Sequence, residues 1–495
     1  MNIWLIIICA VLAALYSLIK SKSSYWQQKG VPQLDNGILD NIRRLTSIHN
    51  TDLWQEVYDK FKGQTPLAGT YIYTRAFAVV LDLELVKSVL IKDFHSFTDR
   101  FTNPHSKDIL NQHLFNADST IWKGLRTKLT PTFTSGKMRF MFPSLVEVSK
   151  SYVASLQAAL KAKPDHIMEM YDWNGRFTTD VIGSVIFGIE CNSIRDPNAE
   201  FRKIGQKAFG ADKPNIKWSL VKNMYMKYLK YVGVRRFDPI FERFFLRIVN
   251  DTVLERERRN IHRNDFIDIL IELKNQKDEN GNPVLSLELV AAQLFVFFVA
   301  GFETSSSNMS FGLYELAKNP DKQDILRQEV MDVLKKHNNQ LTYEAMMEMS
   351  YLDQVISETL RLHPALAFLQ RVCMEDYQVP DTDIILEKGT AVAIPVKAIH
   401  YDPDIYENPN QFEPERFEPS EVQSRHPQSF LGFGDGPRNC IGLRFGRMQA
   451  KVGLISLISN FRFSVCPKTP KHLDCSKHSF VLIPGKGVWL KVDHL

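Results

Sequence analysis

The sequence predicts a mainly α protein with small β-sheets, an α+β arrangement in one large globular body behind an N-terminal membrane helix. Three observations carry this expectation. Helical patterns dominate residues 118–350. Short runs rich in β-branched and aromatic residues flank them, YIYTRAFAVVLDL at 71–83 and the stretch 366–396. No segment rich in Gly, Ser or Pro divides the 495 residues and no internal repeat is present, so a chain long enough for two domains reads as one body.

The elements follow in order. Residues 3–19, IWLIIICAVLAALYSLI, carry no charge. As a helix they span about 25 Å, close to the thinner endoplasmic reticulum membrane. A secretory signal would begin with positive residues, but only Met1 and Asn2 precede the run. The positive residues Lys20, Lys22 and Lys29 follow it, which holds the large C-terminal body in the cytosol. The anchor is therefore placed at 1–20, with a linker at 21–50 whose turn residues include Gly30, Pro32 and Gly37. Residues 208–235 mix Trp218 with Met, Tyr and many lysines and are expected at the membrane surface. Strands resume at 366–396, and a turn-rich stretch follows with Pro403, Pro409 and Pro414. A last helix starts near Cys440, and SFVLIPGKGVWLKV reads as a hairpin.

Composition excludes some classes. A net charge of +5 without a long basic block gives no support to nucleic-acid binding. None of the six cysteines forms a CxxC pair, so neither a zinc site nor a disulfide framework is indicated. A reducing compartment fits them best.

One cysteine stands apart. Cys440 lies within the stretch FLGFGDGPRNCIGLRFG, residues 430–446, directly after a run of glycines and an arginine. A phosphate loop would need Lys followed by Ser or Thr after its glycines, and these are missing. A nucleophilic thiol would want a His base, and no local pattern supplies one. A buried structural cysteine at a tight turn is the plain alternative. A metal-binding thiolate explains more residues. Gly434 and Gly436 let the backbone turn tightly and approach a flat cofactor. Cys440 precedes an apolar-periodic helix whose N-terminus favours thiolate over thiol. Phe433 shields the sulfur, Gly442 leaves room for a macrocycle, and Arg438 suits an acidic substituent of the cofactor.

The segment FGDGPRNCIG resembles the haem-binding loop of the cytochrome P450 family, in which the matching cysteine, here Cys440, is the proximal thiolate ligand of haem iron. The resemblance covers nearly the whole chain. FTSGKM, TTDVIGSVIFGIECNSI and HYDPDIYENP look most like the insect microsomal branch that oxidises xenobiotics and hormones. It implies a haem-thiolate monooxygenase domain at 51–495 with haem b (iron protoporphyrin IX). One departure is the linker, where Pro32 stands almost alone in place of a proline-rich hinge.

Three further stretches bear on it. In SETLRLHP, Glu358 and Arg361 stand at i and i+3 and can pair on one helix face. Ser350 with Asp353 reads as a capping box for that helix. The resemblance adds Arg416 of FEPERF and implies a buried structural triad. In FVFFVAGFETSSS, an apolar helix abruptly shows Gly301, Glu303 and Thr304. Gly301 removes bulk where small molecules must pass, and the Thr304 hydroxyl can bond the carbonyl of Ala300. The resemblance implies that Glu303 and Thr304 deliver protons for dioxygen activation. In STIWKGLRTKL, Trp122 and Arg126 lie one turn apart. The resemblance implies that they hold haem propionates with Arg438 and with Arg371 of LQRVC.

Monooxygenation needs electrons, and nothing in the chain would bind NADPH or flavin. The implied donor is an NADPH-dependent flavoprotein reductase, with cytochrome b5 as a second, at the endoplasmic reticulum membrane. Arg444, Arg447 and Lys451 read as a basic docking stripe. Phe297, Phe298, Leu366, Phe368, Leu369, Val481 and Leu482 are candidate pocket residues for a hydrophobic substrate such as an insecticide, plant toxin or hormone. Residues 101–118 and 205–225 are expected to set specificity. The rival readings are a haem-thiolate isomerase or dehydratase, and a non-enzymatic haem-binding protein.

Overall fold

The computed structural model describes residues 24–34, 50–72, 75–100, 108–208, 234–235, 237–263, 266–277, 281, 284–476 and 479–495. The anchor expected at 1–20 lies outside these residues, as do most of the 21–50 linker, nearly all of 208–235 and parts of both specificity segments.

Helix α1 (Asn50–Phe61) packs on a hairpin of β1 (Leu67–Ile72) and β2 (Arg75–Val80), with Leu67 opposite Val80. Helix α2 (Ser119–Leu129) starts where the Asp118 carboxylate accepts the Thr120 N–H at 3.2 Å, and it buries Trp122, Leu125 and Leu129 along one stripe. Next come α3 (Ser135–Lys161), β3 (Ile167–Glu169) and α4 (Met170–Ile182), whose N-terminal amides at Tyr171 and Asp172 are capped by Glu169 at 3.1 and 2.6 Å. The middle of the chain supplies α5 (Glu200–Ala208), α6 (Pro239–Arg259), α7 (Phe266–Asn275) and the long α8 (Leu287–Lys318). Then follow α9 (Pro320–Lys336), α10 (Tyr343–Glu348) and α11 (Ser350–Leu362). Strands β4 (Leu369–Val372), β5 (Tyr377–Gln378), β6 (Ile385–Leu386) and β7 (Ala391–Ile394) precede α12 (Leu443–Ile458), β8 (Phe461–Ser464) and β9 (Trp489–His494).

The small sheets sit at the margins of the helical body. The largest has the order β1-β2-β7-β4 and is mixed, because β2 and β7 run parallel, with Phe77 opposite Ala391. A second has the order β3-β9-β8, and β5 pairs with β6. One apolar core fills the helical body around α8; another lies between the four-stranded sheet and α1. Among the described residues α8 is the one helix long and apolar enough to cross a membrane. Its flanks are instead covered by α4, α6, α11 and α12, so it is the central core helix.

Two local expectations are corrected and a third holds. The C-terminal stretch is not a hairpin. Residues 479–484 form no strand, and β9 pairs instead with β3 and β8, with Phe461 opposite His494. The last helix starts near Cys440 as expected, at Leu443, three residues beyond it, with Gly442 at its N-cap. The start of α11 is not closed by a box of Ser350 and Asp353. Glu329 of α9 does it from outside, accepting the Tyr351 and Leu352 amides at 2.7 and 2.9 Å. Asp353 is drawn away to Lys451, 2.6 Å distant.

Candidate functional site

The Cys440 loop is a set of tight turns. The Cys440 amide donates to the Phe433 carbonyl at 2.9 Å, and the Asn439 amide to Gly436 O at 3.0 Å. Gly434 and Gly436 have φ of +67° and +71°, the left-handed region open to glycine. At Gly436 a Cβ would also lie 1.9 Å from the Leu90 carbonyl, so the loop is pressed onto the Ser88–Lys92 turn. At Gly442 a Cβ would meet nothing within 4 Å. Phe433 is half-buried beside the Arg447 guanidinium, 5.4 Å away.

Cys440 is exposed to a water-sized space, yet protein surrounds it deeply enough that burial pushes its thiol pKa up. The sulfur is thus accessible yet closely ringed by protein. The Gly442 amide, Arg126 and Arg100 pull the other way and favour thiolate.

Four arginines gather beside this sulfur. Arg438 is buried, with its guanidinium over the Trp122 ring and Nη2 donating to Ala117 O at 2.9 Å. Its Nε and Nη1 have no partner. Arg371 is buried on β4 and donates from Nη1 to Gln370 O at 2.9 Å, leaving Nε without a partner. Arg126 forks onto Asn439, with Nη1 on the backbone oxygen at 2.9 Å and Nη2 on the side-chain oxygen at 2.7 Å. Its guanidinium therefore holds the loop itself. The fourth, Arg100, was missed by the sequence reading. It donates from Nη2 to Arg438 O at 2.9 Å and lies 4.0 Å from the centre of the Phe115 ring. An isolated Asp-Arg pair outside any periodic pattern gives no signal in a single sequence.

Burial and mutual repulsion depress these guanidinium pKa values, Arg438 to about 10 and Arg371 to about 9. Asp99, 3.6 Å from Arg438, and Asp118 are the acidic groups facing this cluster. Buried donors left without acceptors beside so much positive charge suit an anionic group with planar carboxylates. The two propionates of haem b are such a pair, and a Cβ on Gly442 would meet no protein atom within 4 Å. The residues present fit that cofactor.

Helix α8 presents a second feature. Val296, Ala300 and Thr304, spaced one turn apart, form an accessible stripe in the middle of the helix, with Val299 and Gly301 half-buried beside it. Thr304 Oγ1 donates to Ala300 O at 2.6 Å. Glu303 is buried on the adjoining face and accepts from the Tyr171 hydroxyl. The acid and the alcohol are thus not brought to one place. Gly301 also differs from its expected use. A Cβ there would come 2.5 Å from Ile182 Cδ1, so its small size admits α4, while Ala300 faces the open side.

The Glu358–Arg361–Arg416 group is buried and assembled. Arg361 Nε and Nη2 donate to the two Glu358 oxygens at 2.7 and 2.8 Å, and Arg416 Nε is 3.6 Å from Glu358 Oε1. Arg361 also donates to the carbonyls of His400 and Pro409 at 2.8 Å and of Gln411 at 3.1 Å. This ties α11 to the chain that leads into the cysteine loop.

Two other expectations fail on burial. Lys451 is buried, paired with Asp353 at 2.6 Å, and Arg447 lies 3.6 Å from the same carboxylate. Of the basic stripe only Arg444 is exposed, because α12 is a core helix with most of its circumference covered. Phe297 and Phe298 face the core, stacked on Phe133 and Phe302 at 5.4 and 5.3 Å. A more accessible aromatic group is Phe115, Phe368 and Phe480, in which Phe480 meets the other two edge-on at 6.3 and 6.1 Å.

A protein-family model described as "Cytochrome P450" matches residues 41–490. The chain is 46% identical to "Probable cytochrome P450 6a14" of Drosophila melanogaster, over 98% of both chains. It is 44% identical to "Cytochrome P450 6a8" of the same fly, over 98% of this chain and 97% of the relative. "Cytochrome P450 6A1" of Musca domestica is 41% identical over 97% of this chain and 95% of its own.

Proposed function

The chain belongs to the cytochrome P450 family, and from that premise we propose which residues perform its reaction, what it oxidises and where. It is a monooxygenase that uses haem b, dioxygen, a small-molecule substrate and a redox partner. When bound, the haem supplies the activation of dioxygen and the transfer of one of its oxygen atoms.

Cys440 would hold the iron through its sulfur, shielded from water by Phe433 and oriented by the turns at Gly434 and Gly436. The observation that carries this reading is the accessible Cys440 sulfur beside buried arginine donors that lack acceptors. Arg438, Arg371 and Arg100 bind the propionates, Trp122 supports Arg438 from below, and Arg126 fixes the loop through Asn439. Glu358, Arg361 and Arg416 are structural. Val296, Ala300 and Thr304, the accessible stripe of α8, would face the haem, and Glu303 with Thr304 would deliver protons there.

The substrate is a hydrophobic molecule with a planar aromatic portion, for which Phe115, Phe368 and Phe480 offer edge-to-face contacts. Such molecules include insecticides, plant toxins and hormones. The electron donor is an NADPH-dependent flavoprotein reductase, with cytochrome b5 as a second donor. Lys123 and Lys128 of α2, together with Arg444, are exposed on elements that hold the cysteine loop, and Ile121 is exposed with them. An acidic partner would be steered there. Residues 1–20 anchor the protein in the endoplasmic reticulum membrane, the microsomal fraction, with residues 51–495 in the cytosol.

The test is the carbon monoxide difference spectrum of the reduced protein and of Cys440→Ala. A strongly red-shifted Soret band that the variant lacks is expected. An unchanged band in the variant would show that another residue binds the iron.

A further inference from the structure

Arg447 lies between helix α11 and the cysteine loop rather than on an outer basic stripe. Asp353 and Ser357, one turn apart on α11, face it. Its Nη1 is 3.6 Å from Asp353 Oδ1, and its Nη2 donates to Ser357 Oγ at 3.3 Å. Lys451, one turn further along α12, takes the other Asp353 oxygen at 2.6 Å. The Arg447 Nε is buried without a partner. With its edge on α11, the guanidinium stands 5.4 Å from the centre of the Phe433 ring, within the range of a cation–π contact.

Phe433 is in turn bound to Cys440. Its carbonyl accepts the Cys440 amide at 2.9 Å, and its partly buried side chain packs on the main core. Just before it, a Cβ on Gly432 would come 3.2 Å from Leu360 Cβ, so the approach to the loop rests directly on α11. Just after it, Gly434 turns the chain at a φ of +67°. Arg447 thus joins α11 to the one residue that pairs its backbone with the cysteine. The guanidinium groups that favour thiolate at Cys440 are those of Arg126 and Arg100. Arg447 stands one residue removed, and 30% of its side chain is exposed, so its charge is screened by solvent.

We propose that Arg447 is a positioning residue for the cysteine thiolate: braced on Asp353 and Ser357, its guanidinium holds Phe433 in place and so keeps water from the Cys440 sulfur. The proposal rests on the reading of Cys440 as the residue that would hold the haem iron. A thiolate accepts hydrogen bonds, and each water admitted to it withdraws electron density that the sulfur would otherwise donate to the iron. Reduced iron is then favoured over oxidised iron, and the iron–sulfur bond weakens. Lysine would not serve equally. A planar guanidinium can lie on a ring while its edge reaches two acceptors, whereas an ammonium is a compact point charge.

The experiment compares Arg447→Ala and Arg447→Lys with the unaltered protein, in the full chain loaded with haem and without substrate. Three quantities are read: the midpoint potential of the iron, the iron–sulfur stretching band in resonance Raman spectra of the ferric protein in H2O and D2O, and the carbon monoxide band of the reduced protein. In Arg447→Ala the reduction equilibrium should move toward ferrous iron by about two- to tenfold, the scale of one hydrogen bond gained by the sulfur. The iron–sulfur band should move to lower frequency and become sensitive to D2O. Arg447→Lys keeps the charge but not the plane and should behave in the same way. If Arg447→Lys keeps the values of the unaltered protein while Arg447→Ala does not, charge is what matters and the positioning role is overturned. If neither variant moves potential or Raman band although the carbon monoxide band marks a thiolate, the role of Arg447 is overturned and the reading of Cys440 stands. If the unaltered protein lacks that band, the reading of Cys440 is overturned and the proposal with it. Should Arg447→Ala fail to retain haem, Ser357→Ala removes only the Nη2 partner. Its Raman band must then move in the same direction by a smaller amount, and a fixed band would overturn the proposal.

Discussion

The guanidinium of Arg438 lies 4.4 Å from the centre of the Trp122 ring. This contact and the fork of Arg126 on Asn439 clamp the cysteine loop to helix α2. Arg438 is held by its face and by one N–H, while two of its nitrogens remain without acceptors. Replacing Arg438 by Leu is expected to weaken haem retention ten- to a hundredfold, the worth of one charge-assisted hydrogen bond. Haem transfer to apomyoglobin measures it. Trp122→Leu should have a smaller effect of the same sign, because only the support beneath the guanidinium is lost.

Glu358 carries the charge balance for two buried arginines. Glu358→Gln leaves Arg361 without its counter-charge and Arg416 with Glu413 alone, 3.1 Å away and partly exposed, and should destabilise the fold by about 3–5 kcal/mol. Urea unfolding followed by far-ultraviolet circular dichroism reads this in protein with and without haem. A loss confined to the haem-loaded form would move the triad from structural support to the cofactor site.

The glycines of the loop divide into two kinds. Gly436→Ala meets the Leu90 carbonyl at a positive φ and should prevent the loop from closing, lowering stability with or without haem. Gly442→Ala meets no protein atom and should leave the apoprotein as stable as before. A fall in haem affinity in that variant, with unchanged apoprotein unfolding, is the expected mark of a macrocycle over Gly442.

Charge reversal separates surface from core among the basic residues. Lys123→Glu with Arg444→Glu should slow reduction by the flavoprotein several-fold at low salt and much less at high salt. Lys451→Glu should instead destabilise the protein, because it buries a carboxylate against Asp353. Stopped-flow reduction and thermal unfolding, run on both variants, distinguish the two.

His400 sets a pH dependence. Its Nε2 accepts the Leu431 amide at 2.9 Å and its Nδ1 faces the Arg361 carbonyl at 3.1 Å. Burial holds its pKa down at about 3. As pH falls below about 6.5 the unfolded chain takes up a proton that the folded protein refuses, so stability is lost with acid by roughly 1.4 kcal/mol per pH unit. His400→Gln should abolish that part of the slope between pH 6 and 4. Denaturant unfolding at several pH values gives the comparison.

Much of this was legible in the sequence because short-range chemistry determines it. The spacing of Glu358 and Arg361 on one helix face, the hydrogen bond of Thr304 to Ala300, and the glycines flanking Cys440 are all local relations. The failures are long-range. Lys451 looks solvated in a helical pattern, since nothing nearby announces Asp353 on another helix. Glu329 caps α11 across a helix–helix contact that no capping motif encodes. Gly301 was credited to the open face because a single sequence does not say which neighbour its missing side chain admits. Arg100 and Tyr171 are ordinary residues in their own segments and acquire meaning only from partners far along the chain.

The parallel pairing of Phe77 with Ala391 has a consequence for biosynthesis. The β1–β2 hairpin leaves the ribosome more than three hundred residues before the strand that covers its open edge. At about 5–20 residues per second that interval is on the order of tens of seconds. During this time a row of unpaired amides and carbonyls stands exposed, the kind of edge that invites aggregation. The Cys440 loop emerges later still. The sheet margin is therefore completed, and haem is captured, only at the close of translation, and chaperone demand should concentrate there.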